Sequence, residues 1–208
     1  MMKKILLSLC FTVLAGFSGI GVVFAQEAPD QLVKTLTEQV LDIVRNDKSL
    51  KAGKTEGAVK KIEAIVQPHF DFRRMTMLAV GPNWRKATAE QKDRLVEEFY
   101  TLLVRTYSNA LTQYSNQTVA YKPFRMAAGD ATVCVQTEIR QPGAQPVTVD
   151  YVLENKGGDW KVFDVIVAGV SLVTNYRSNF AQEVSAGGID GLIQSLDNRN
   201  NSLTQETP

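Results

Sequence analysis

Residues 160–180 read WKVFDVIVAGVSLVTNYRSNF, and this stretch decides the fold. Trp160 to Val167 form a strand with almost no polar interruption, Ala168-Gly169 ends it, and Leu172, Val173, Tyr176, Phe180 and Val184 then recur at helical spacing. A surface apolar on both sides of one bend must be buried or must hold something apolar.

Working outward, the chain before this bend alternates. Val133, Val135, Thr137 and Ile139 face one way and Cys134, Gln136 and Glu138 the other, and Val147, Val149, Tyr151 and Leu153 repeat the pattern after a Pro/Gly turn. This predicts an antiparallel sheet with one wet side. Asn155-Lys156-Gly157-Gly158-Asp159 turns the chain into the strand that starts at Trp160. Further upstream the period is helical. Leu32, Leu36, Val40, Ile43 and Val44 predict a helix from Asp30, its cap, to near Asn46, and Val59, Ile62, Ile65 and Val66 predict another that stops at Pro68. A short helix from Asp71 to Val80 closes at Gly81-Pro82. Thr88 and Gln91 make a capping box for the longest expected helix, which runs to about Gln113 with Leu95, Phe99, Leu102, Leu103, Thr106 and Ala110 on one face. Gly187-Gly188 reads as a joint between helices, and Leu192, Ile193 and Leu196 mark a last short one. Helices, then strands, then helices predict an α+β fold, in which a curved antiparallel sheet of about four strands is wrapped by helices. Such a half-cone has a natural mouth, and a pocket is expected between sheet and helices.

The first residues say where the protein works. Lys3 and Lys4 precede an apolar run from Ile5 to Phe24, and Val23-Phe24-Ala25 supplies small residues before Gln26, so residues 1–25 read as a cleaved export signal. Cys10 follows Leu9 inside that run and is a poor lipid-attachment site. Loss of Lys3 and Lys4 turns 23 basic residues into 21 against 22 acidic ones, which removes any global field for nucleic acid or anionic membrane. Cys134 is then the sole cysteine, which excludes an intramolecular disulfide and reads as a buried, inert thiol. Residues 26–197 are expected to form one domain, and the polar residues 198–208 a disordered tail.

The inventory of reactive groups is thin. His69 is the only histidine, and no carboxylate or cysteine cluster has metal-ligand spacing, so no metal and no catalytic cofactor is expected. Nucleophile elbows and glycine-rich phosphate loops are missing. Cone-shaped α+β folds do host isomerases and lyases that use one desolvated Asp and a Tyr, and Asp150 or Asp164 with Tyr151 or Tyr107 are the residues for such chemistry. Asp164 suits it better, because Asp150 alternates onto the wet face, yet a structural hydrogen bond to a cap or to an arginine such as Arg177 explains Asp164 more cheaply. A third reading is a non-enzymatic adaptor whose apolar strand and helix bind another exported protein.

Several ordered segments resemble one family. Trp160-x-Val162-Phe163-Asp164-Val165, the Gly169-Val170-Ser171-Leu172 corner, Asn175-Tyr176-Arg177-Ser178-Asn179-Phe180 and Gly188-Ile189-Asp190-Gly191-Leu192 match the periplasmic phospholipid-binding proteins called MlaC, or toluene-tolerance (Tol/Ttg-type) proteins. Between Phe70 and Val119, Gly81, Trp84, Ala87-Thr88, Gln91, Phe99, Tyr107 and Ala110-Leu111 stand at the family's places, whereas residues 26–67 agree only in pattern. The resemblance implies a periplasmic, monomeric, non-enzymatic carrier with a pocket related to the NTF2-like cone. Its cargo would be a glycerophospholipid, passed between an outer-membrane lipoprotein complex and an inner-membrane ABC lipid transporter in the upkeep of outer-membrane lipid asymmetry.

Physical chemistry supports that role. Two chains of about sixteen carbons carry roughly thirty methylenes, whose exposure to water would cost on the order of 24 kcal/mol. A carrier must cover nearly all of both, which asks for a cavity near about 1,000 Å³. The expected lipid-binding walls are Met75, Leu78, Phe99, Leu102 and Leu103 from helices, Val135, Ile139, Val149, Tyr151, Val165 and Val167 from the sheet, and Val170, Leu172 and Tyr176 at the corner. Arg73, Arg74, Arg85 and Lys86 are the cations that would meet a phosphate at the mouth, or else are ordinary solvated side chains.

Overall fold

The computed structural model describes residues 27–51, 55–112 and 117–205; the expected export signal and Cys10 lie outside them. Five strands form one antiparallel sheet in chain order: β1 (Thr118–Tyr121), β2 (Thr132–Arg140), β3 (Val147–Lys156), β4 (Asp159–Val167) and β5 (Val170–Ser171). The sheet is open and curved, and the fold is α+β. Strands β1 and β5 escaped the sequence because four and two residues are too few to show an alternation. Strand β5 folds back on β4 through Ala168 and Gly169, both at positive φ (49° and 82°), as a tight two-residue hairpin turn requires.

On one face of the sheet lies α1 (Pro29–Asn46), whose Leu32, Val33 and Leu36 pack with Val133, Val135, Leu153, Trp160 and Val162. The expected cap Asp30 stands instead in the first turn, because Pro29, free of an N–H, starts the helix one residue earlier behind Ala28. A single turn, α2 (Lys48–Lys51), leads toward α3 (Glu56–Val66). The other cluster joins α4 (Phe72–Val80), α5 (Ala89–Thr112) and α6 (Leu172–Gln205) through Met75, Leu95, Phe99, Phe180, Leu192 and Leu196. Strand β4 is covered on both faces, and a β-bulge shifts its phase midway, so that Val162 before it and Val165 after it pack in the same cluster. Leu153 pairs with Val162 and Val152 with Asp164, so Phe163 is an extra residue that packs with the helical cluster while Val162 packs under α1. This is why β4 reads as apolar without alternation.

The capping box holds: the Gln91 N–H donates to Thr88 Oγ1 (3.2 Å) and the Thr88 N–H to Gln91 Oε1 (3.0 Å). Helix α5, 24 residues, is the longest continuous helix as expected, because Gly188 (φ 69°, ψ −169°) divides α6 into two at the expected joint with a conformation almost closed to other residues. Residues 198–205 correct the expected disordered tail, for they continue α6. Asn200 is buried, and its amide donates to the Glu98 carbonyl (3.0 Å) and carboxylate (2.9 Å), which ties the last turns to α5. Cys134 is a second correction: it lies exposed on the wet face, and desolvation first and the Asp150 charge second push its thiol pKa up, away from a reactive thiolate.

Segment 67–71 positions the site. Phe70 bridges to Val162, the Asp71 N–H donates to the Val162 carbonyl (2.8 Å), and the Asp71 carboxylate caps α4 at the Arg74 N–H (2.9 Å) while pairing with Lys156. Burial works against the Asp71 charge, but the hydrogen bonds and charges of Lys156 and Arg74 win and hold its carboxyl below the usual range. A lowered folded-state pKa contributes stability that is complete above about pH 4 and is lost as pH falls through the folded value. Asp71→Ala is expected to cost about 1–2 kcal/mol in urea unfolding at pH 7, with the gap to the parent narrowing in acid below about pH 4.

Candidate lipid-binding site

Two apolar cavities adjoin inside the cone. The sheet-side cavity, about 430 Å³, is walled by Val33, Leu36, Thr37, Val40 and Leu41 of α1 and by Val119, Thr137, Ile139, Tyr151 and Val162 of the sheet. The helix-side cavity, about 280 Å³, is walled by Val59, Glu63, Gln67, Phe72, Met75, Tyr100, Leu103, Val104, Val165, Val167 and Leu172. Ile62, Val66, Phe70 and Tyr107 line both and so stand between them.

The hydroxyls in these walls are engaged within the protein. Thr37 donates to the Val33 carbonyl (2.7 Å) and hydrogen-bonds the Tyr151 hydroxyl, and buried Thr137 donates to the Val149 carbonyl (2.6 Å). Tyr100 donates to Glu63 Oε1 (2.8 Å), and Tyr107 hydrogen-bonds Tyr176. Burial raises the Tyr151, Tyr100, Tyr107 and Tyr176 phenol pKa values, with Glu63 adding to the rise at Tyr100, so all four stay neutral near pH 7. A cavity water needs two to four polar partners, and this lining leaves few; such space suits hydrocarbon better than water.

Of the fourteen residues expected on the walls, Met75, Leu103, Val165, Val167 and Leu172 line the helix-side cavity and Ile139 and Tyr151 the sheet-side one. Seven line neither. Phe99, Leu102 and Leu78 pack in the helical cluster, Tyr176 stacks edge-on with Phe99 there, Val135 packs under α1, Val149 is buried in the sheet, and Val170 is 54% exposed beyond the turn. The walls contributed by α1 and α3 were missed, although Leu36, Val40, Val59, Ile62 and Val66 carried the helical period that marks them.

Asp164 lies outside both cavities. Its carboxylate accepts from Ser171 Oγ (2.6 Å) and from the N–H groups of Val165 (2.9 Å) and Val173 (3.2 Å), fixing the strand-to-helix corner. The cations expected near a mouth have protein partners in two cases: Arg73 pairs with Asp93 (2.7 Å), and Arg74 pairs with Glu154 and lies over the Phe163 ring. Among the described residues no side-chain cluster could hold a metal ion, and no helix is long and apolar enough to cross a membrane. A shallower depression of about 630 Å³ between α5 and α6 is bordered by Gln194, Ser195, Asn198, Arg199 and Ser202, a polar rim unlike the lining of the two apolar cavities.

Comparison with known proteins adds four matches. The family model described as MlaC protein matches residues 34–198. Toluene tolerance protein ttg2D of Pseudomonas putida is 30% identical over 168 residues, spanning 80% of this chain and 77% of that one, and the intermembrane phospholipid transport system binding protein MlaC of Haemophilus influenzae is 26% identical over 168 residues, spanning 77% and 78%. A solved phospholipid-binding protein from Ralstonia solanacearum, in complex with a phospholipid, superposes with a TM-score of 0.78 at 40% identity, covering 86% of this chain and 98% of that one.

Proposed function

Because the chain belongs to the MlaC protein family, we propose that it is a periplasmic phospholipid carrier. It buries the acyl chains of a glycerophospholipid in the two adjoining cavities and exchanges it with an outer-membrane lipoprotein complex and an inner-membrane ABC lipid transporter. The observation that carries this reading is the pair of apolar cavities, whose hydroxyls are already bonded and whose remaining lining is aliphatic and aromatic apart from Glu63 and Gln67. The phospholipid in the Ralstonia solanacearum relative and the transport role in the name of the Haemophilus influenzae relative support it.

Burial here is non-directional, so the cavities should accept lipids that differ in headgroup. The seven expected wall residues that line the cavities belong to the proposed contact surface, together with Ile62, Val66, Phe70 and Tyr107. No step in this role needs a nucleophile or a base, and Asp164 serves the corner rather than a substrate.

The test is chemical. Protein exported by a Gram-negative host and purified without detergent should release phospholipid on organic extraction, close to one molecule per chain by phosphate assay and mass spectrometry. Protein that is folded and releases none contradicts the reading.

A further inference from the structure

Resting on that reading, we infer that the two acyl chains of one lipid are held apart in unequal compartments, with Phe70 and Tyr107 as the partition and the smaller compartment as the determinant of chain selection. An apolar cavity of about 150 Å³ takes benzene, so a buried carbon claims about 25 Å³. On that scale the sheet-side cavity, about 430 Å³, holds about 17 carbons, and the helix-side cavity, about 280 Å³, about 11. The first takes a whole sixteen-carbon chain. The second takes only part of one.

The partition is built, not accidental. Phe70 is fixed by its bridge to Val162 and by the adjacent Asp71 N–H bond to the same residue, and its ring stacks on Phe72 at 5.6 Å. Tyr107, 40% exposed, also borders both spaces and is held by its hydrogen bond with Tyr176. Each compartment also has walls of its own: Val40 borders only the sheet-side space and Val104 only the helix-side space, and both are half-buried, so a larger side chain at either extends into its own cavity.

The experiment compares delipidated full-length mature protein with Val104→Trp and Val40→Trp, against dipalmitoyl phosphatidylglycerol and 1-palmitoyl lysophosphatidylglycerol. Val104→Trp should weaken dipalmitoyl binding at least tenfold while moving the single-chain lipid by less than about twofold. Val40→Trp should weaken both at least tenfold, because only the sheet-side space is long enough for sixteen carbons. Equal losses for both lipids in both variants mean one undivided chamber and overturn the inference, as does Val104→Trp binding like the parent. If a tryptophan variant loses its cooperative melt, Val104→Phe and Val40→Phe carry the same comparison. A parent protein that binds neither lipid overturns the carrier reading itself, which parallel losses in the variants would leave standing.

Discussion

Phe99→Ala will lower stability by about 3–5 kcal/mol, the range for removing a fully buried aromatic ring. Phe99 is 1% exposed and meets the rings of Tyr176 and Phe180 edge-on at 5.0 and 5.2 Å, so its loss leaves a void between α5 and α6 that these two well-anchored neighbours cannot fill. At about 2–4 °C per kcal/mol for a domain of this size, the melting temperature should fall by roughly 6–20 °C. Chemical denaturation at pH 7 gives the free energy directly. Since Phe99 lines neither cavity, the fraction that remains folded should still carry lipid, and a melt shifted by less than a few degrees would mean that the helical cluster is not packed as described.

Val66→Asp is the second large effect, and it acts on binding instead of folding. Val66 is half-buried, lines both cavities and ends α3, so an aspartate there has water around it while the cavities are empty. An acyl chain would strip that water away and leave a carboxylate with no partner in hydrocarbon, a penalty of several kcal/mol. Lipid retention at pH 7 should drop by at least a hundredfold, with stability lowered by about 1 kcal/mol or less from the charge at the helix C-terminus. Retention should recover as the pH is lowered toward the carboxyl pKa, because the neutral acid is far cheaper to bury. A variant that keeps its lipid at pH 7 would place the acyl chains elsewhere.

Much of this architecture was legible where one physical rule dominates. The Thr88–Gln91 box, the Gly188 break and the two-sided apolarity of β4 are local statements, and the molecule realises each of them. The site was half legible, for a specific reason. Phe99 and Leu103 share one stripe of α5 a single turn apart, yet the first packs against α6 and the second faces the helix-side cavity. Periodicity says that both are covered and cannot say by what. Val170 shows the reverse: it sits in an apolar run, but the positive-φ turn at Ala168 and Gly169 carries it into solvent. The walls from α3 were obscured by Lys60 and Lys61, and by Glu63 within the stripe itself, which make the helix look like a solvated element, although Val59, Ile62 and Val66 face the cavities. Single strands as short as β1 and β5 depend on their neighbours for existence, so their own residues say little.

The most direct measurement is anomalous diffraction from crystals of the protein loaded with a phospholipid brominated along one acyl chain. Bromine peaks inside the space bounded by Ile62, Val66, Phe70 and Tyr107 and the walls beyond them are the predicted result. Peaks confined to the polar depression between α5 and α6, or none inside the cone of a protein shown by extraction to carry the lipid, would contradict the account.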